Sequence, residues 1–193
     1  MIFSKLQTRL QRIASRKGII ILFLLAHSVL LFMMAFTFPR INAKMGTQAF
    51  DLKAFGYSYE EAVTMIGNLD PATLDLYVFP QLLLLDAFYP LLLALFLSTL
   101  MIRLSKLTRK QPDSLFSNLY LLPFLAMLFD YAENTSILTM ILDPINLSPG
   151  LVQLASTLSI LKSSFTTLSW IVILILFVQW LQIKWKDKNE KNT

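Results

Sequence analysis

Residues 117–141 read SNLYLLPFLAMLFDYAENTSILTMI, a stretch long and apolar enough to cross a bilayer except for one polar phrase, Asp130, Tyr131, Ala132, Glu133 and Asn134. A helix needs about 20 residues to cross roughly 30 Å of hydrocarbon. An ionisable side chain in that layer costs about 2.5–3.5 kcal/mol on insertion scales, so a chain keeps one where it faces a partner, a cavity or a path. The phrase therefore marks a membrane-spanning helix and also the first place to look for function.

Three further segments of suitable length surround it, so that spans are predicted near 18–38, 79–102, 117–141 and 154–183. The chain has 193 residues, 55% of them hydrophobic and 15% charged, which departs from soluble usage toward the membrane class. The predicted fold is an all-α polytopic membrane protein, a four-helix transmembrane bundle forming a single integral membrane domain over 1–193.

Charge orients the spans. Lys5, Arg9, Arg12, Arg16 and Lys17 precede the first; Arg103, Lys106, Arg109 and Lys110 follow the second; Lys184, Lys186, Lys188 and Lys191 crowd the 184–193 tail. The 39–78 loop instead balances Arg40, Lys44 and Lys53 against Asp51, Glu60, Glu61, Asp70 and Asp75, and the loop near Asp143 has no basic residue. By the positive-inside rule both termini belong in the cytoplasm, and the expected location is the cell membrane, in a bacterium the inner one. The apolar run from Gly18 exceeds the roughly 7–15 residues of a signal-peptide core and reads as a retained anchor.

The outer loop should carry a short extra helix, because Ser58 followed by Glu61 forms a capping box ahead of Ala62, Val63, Met65 and Ile66. Asp70 before Pro71 is a second start signal, an N-cap with proline at the first helical position. Pro80, Pro90 and Pro123 fall within or beside spans, where each removes a backbone donor and can kink the helix.

Asp86 in the second span and Asp130 in the third lie roughly 10–18 Å below the outer boundary at 1.5 Å per residue. His27 in the first span and Lys162 in the fourth fall at a similar level, so all four helices are expected to feed one polar layer of Asp86, Asp130, Glu133, Asn134, Lys162 and His27. Asp130, Glu133 and Asn134 share one helix face by their spacing. Ser156, Ser159, Ser163, Thr166 and Trp170 form a helical stripe of mostly small polar residues with Lys162 alongside, the means by which membrane helices approach closely. Lys162 is the natural counter-ion for Asp130 or Glu133, unless it snorkels to the interface. For His27, a packing role is the simpler reading, and Asp86 has a structural reading as an acid bonded to Tyr89, Tyr131 or the backbone.

The chain has no Cys and a single His, which removes disulfides, thiol catalysis, iron–sulfur clusters and multi-histidine metal centres. No metal site and no cofactor is expected. The net charge of +5 sits beside the apolar segments rather than in a stripe of its own, so membrane lipids, not nucleic acid, are the expected partners. The expected function is binding or carrying a small amphiphile or lipid head group through the acidic layer. The alternatives are an intramembrane enzyme using paired carboxylates as general acid and base, a proton-coupled transporter, for which four helices would call for a homodimer, and a structural or assembly subunit.

Overall fold

The computed structural model describes residues 2–108 and 115–190, and every regular element among them is a helix. Helix α1 (Ile2–Ile13) is followed by α2 (Arg16–Phe32), which begins where Ser15 caps the Gly18 amide at 3.0 Å. Proline 39 lacks the N–H that would bond the fourth residue back. The helix answers with a π-helical turn at Met33–Thr37 and runs on as α3 (Phe38–Met45), ending on left-handed Gly46.

The 39–78 segment holds more structure than the one expected helix: α3, a 3₁₀ turn at Phe50–Leu52, α4 (Tyr59–Gly67) and α5 (Pro71–Leu76). Ser58 accepts from the Glu61 amide at 3.1 Å, and Asp70 caps Thr73 at 2.8 Å, as predicted. The Glu61 carboxylate is held by Lys53 at 2.5 Å. A π-helical stretch, Tyr77–Leu85, then leads into α6 (Asp86–Leu107). Its backbone breaks at Phe79, the residue before Pro80, whose ring disfavours a helical conformation there; the Phe79–Pro80 bond is cis. Helix α7 (Leu122–Leu142) and the long α8 (Pro149–Asn189) complete the chain.

Among the described residues three helical runs are long and apolar enough to cross a membrane: Arg16–Met45, Pro71–Leu107, which is kinked at Phe79, and Pro149–Asn189. The expected boundaries at 38 and 183 are overrun, since a π-turn absorbs Pro39 and the lysine-rich tail stays helical to Asn189, while at the expected start near 79 the chain kinks, with non-helical backbone at Phe79. Helix α7, 21 residues long, corresponds to the fourth expected span, but its polar phrase keeps it out of that set. Arg109, Lys110 and Lys191 lie outside the described residues.

Helix α6 is the central post. It packs on α1, α2, α7 and α8, while α7 and α8 form the most extensive pair. The run that contains it, Pro71–Leu107, is more buried along its apolar stretch than Arg16–Met45 or Pro149–Asn189. The outward faces of α2 and α8 expose Ile20, Ile21, Leu24, Ile171 and Leu174, a surface suited to lipid.

Two apolar cores form, one at each end. At the loop end, Phe38, Ile41, Phe50, Tyr57, Met65, Tyr77, Met140 and Val152 pack together. At the terminal end, Leu10 of α1 meets Leu97, Met101, Tyr120, Val172 and Leu176. Helix α7 runs from one core to the other, as do α6 and α8. Between the cores lies the polar layer.

Candidate functional site

The α7 phrase and the α8 stripe meet in this layer. Lys162 is turned into the bundle, its Nζ 2.5 Å from Glu133 Oε2 and 3.4 Å from Asp130 Oδ1. The Glu133 side chain is fully buried, and those of Lys162 and Asp130 are 14% and 15% exposed. Ser159 donates to Glu133 Oε1, so both oxygens of this carboxylate have partners. A buried charge is tolerated when it is paired and hydrogen-bonded in this way.

The rest of the stripe is divided by depth. Ser156 accepts from the Tyr57 amide at 2.8 Å, Ser163 and Thr166 face a cleft, and the Trp170 ring packs 6.3 Å from Phe96.

Asp86 lies at the start of α6 and is 3% exposed. Its Oδ2 accepts from Gln81 Nε2 at 3.3 Å, and Gln81 Oε1 in turn accepts from Thr37 at 2.5 Å, linking the two π-turns beneath the loop-end core. Nearby, Tyr131 donates to the Ala87 carbonyl at 2.7 Å, close to the Pro90 gap in the α6 ladder.

A residue not singled out in the sequence completes the group. The 46–58 loop folds back into the bundle, with Phe50 and Ala49 fully buried and the Ala49 amide tied to Asn42 at 2.7 Å. Gly56 makes this re-entry possible: its φ of +81° is left-handed, and a Cβ there would meet Ser156 Oγ at 2.5 Å. The loop thereby delivers Asp51, whose Oδ2 accepts from the Tyr77 hydroxyl at 2.7 Å. Asp51 and Asp86 line the same cleft, and the buried Asp51 Oδ1 has no hydrogen-bond partner among the described residues. Beside it, burial and then the Glu133 charge push the Tyr57 phenol above its ordinary range, so it remains a neutral O–H. The one sequence signal for Asp51 was its position between Phe50 and Leu52, apolar residues in a loop.

The site is a cleft of about 840 Å³ including its open mouth. Its lining combines Asp51, Asp86, Asp130, Lys162 and Tyr89 with Leu30, Met33, Met34, Phe38 and Leu93, the apolar side chains coming chiefly from α2 and its continuation. Helices α2 and α8 stand on either side of it, each packed on α6 rather than extensively on each other.

The structure thus brings together Asp86, Asp130, Glu133 and Lys162. It places His27 elsewhere, with Nδ1 2.8 Å from the Phe23 carbonyl and the ring against Phe23 and Phe96 at 4.1 and 5.7 Å. From the first run it is Thr37, ten residues or about 15 Å of helix further along, that joins the polar network. Asn134 is buried next to Glu133 but does not line the cleft, and its Oδ1 lacks a protein partner. Among the described residues no group of three or more His, Asp or Glu is arranged to hold a metal ion. Comparisons with protein families, with curated proteins and with solved structures returned no match.

Proposed function

We propose that this chain is a four-span integral membrane protein that binds a small amphiphile in the cleft, with the polar head in the carboxylate layer and the tail along the methionine-rich wall. The observation that carries the reading is that one cavity is lined both by charged groups and by apolar side chains. Ligand pockets are mostly apolar with a few convergent polar groups, and flexible Met side chains adapt to tails of varied shape.

Two features support α7 as the fourth span. It runs the distance between the two cores, as α6 and α8 do, and its acids face Lys162 in the interior rather than lipid. Four spans put both termini on one side, and the basic flanks favour the cytoplasm.

The test is native mass spectrometry of the protein purified in mild detergent, comparing wild type with Leu93→Trp and Thr166→Trp, which fill the cleft from α6 and α8. A specific lipid or amphiphile retained by wild type and lost by both folded variants is the expected result. Wild type without a bound amphiphile, or variants that retain the same one, would overturn the reading.

A further inference from the structure

Four carboxyl groups, those of Asp51, Asp86, Asp130 and Glu133, belong to the layer, and among the described residues Lys162 is the one ammonium placed with them. That ammonium is committed: Lys162 sits between Glu133 and Asp130. The nearest other cation along the chain from Asp51, Lys53, is held by Glu61 at 2.5 Å and by Thr47 at 3.2 Å. Asp51 and Asp86 receive only neutral donors, a phenol and an amide, and no ion pair to either is found among the described residues. Two carboxyls that line one cleft and are supported in this way are short of positive charge and of N–H donors.

Both carboxyls line the cleft, and Tyr89 lines it beside them. Resting on the amphiphile reading above, we infer that the head group taken here is a protonated amine, anchored on the Asp51 and Asp86 pair rather than on the Asp130 and Glu133 pair that Lys162 already serves. The chemistry selects it over the other heads. An ammonium carries three donors, enough for the two carboxyls and the Tyr89 oxygen, together with the missing charge. A hydroxyl head offers one donor and no charge. A carboxylate or phosphate head adds negative charge to a layer that already has an excess of it. Leu30, Met33, Met34 and Leu93 in the same cleft supply apolar contacts for an alkyl chain.

The experiment holds the tail constant and varies the head. Dodecylamine, dodecanol and dodecanoate are titrated, each in competition with radiolabelled dodecylamine, into the full chain reconstituted in nanodiscs of zwitterionic lipid. The amine should bind about tenfold or more tightly than the alcohol, and the carboxylate should not compete measurably. Asp51→Asn and Asp86→Asn should each weaken the amine about tenfold while leaving the alcohol unchanged. Equal affinity for amine and alcohol in wild type overturns the inference and leaves the amphiphile site standing; this arm needs no variant. Failure of all three probes, with no amphiphile retained on purification, defeats the site itself.

Discussion

The ammonium of Lys162 on α8 lies 2.5 Å from the Glu133 carboxylate on α7, joining the two most extensively packed helices at mid-height. Asp130 shares the same ammonium at 3.4 Å, so one cation answers two acids.

Removing that cation should be costly in proportion. Lys162→Met leaves Glu133 and Asp130 buried without a counter-charge, and breaking a buried pair from one side costs about 3–5 kcal/mol. Adding Asp130→Asn and Glu133→Gln to Lys162→Met should recover most of the loss, because no uncompensated charge then remains. Unfolding in mild detergent, followed by circular dichroism, measures both; a triple variant no more stable than the single would remove charge compensation as the explanation.

The 46–58 loop depends on Gly56. Gly56→Ala must hold an L residue at φ +81°, which costs about 1–2 kcal/mol on its own. The new methyl also meets Ser156 Oγ, the atom that accepts from the Tyr57 amide. The expected outcome is a lowered melting temperature, with limited proteolysis cutting first between residues 46 and 58. Wild-type resistance to protease in Gly56→Ala would show that the loop does not need this close approach.

At the bundle's loop end, Lys44 lies 2.6 Å from Asp70, the α5 cap. The Lys44 ammonium first, with Thr73 adding to it, holds the Asp70 carboxyl at about 2, below its usual 3.8. A depressed carboxylate contributes its stabilisation above the unfolded value and loses it as pH falls toward the folded one. Lys44→Met should therefore raise the Asp70 value part of the way, since the Thr73 bonds remain. Its melting deficit relative to wild type should be visible near neutrality and disappear toward about pH 2. A deficit that persists at low pH would assign the loss to the lysine stem instead of its charge.

What was readable in advance was local. The caps Ser58 and Asp70 act within three residues of themselves, and the Asp130 phrase announces its polarity wherever its helix lies. Helix ends were less readable, because Pro39 suggested a stop that a π-turn lets the helix pass, whereas at Pro80 the expected kink does form, at Phe79. Asp51 was hidden for a different reason. Its place beside Asp86 depends on a loop re-entry fastened by Tyr57 to Ser156, residues 99 positions apart, and no periodicity encodes such a contact. His27 shows the converse: depth along a span placed it near the layer, but its nearest partners are Phe23 and Phe96.

The separation of α2 from α8 beside the cleft bears on how any affinity there should be expressed. The re-entrant loop occupies the loop end of the bundle and the second core fills the other, while Met34 and Thr167 rim the side that faces outward between the two helices. A ligand arriving by that side is drawn from the bilayer plane, so occupancy follows its mole fraction among the surrounding lipids. Apparent constants quoted per litre of water will drift as the lipid-to-protein ratio is changed, and those quoted per lipid will hold still.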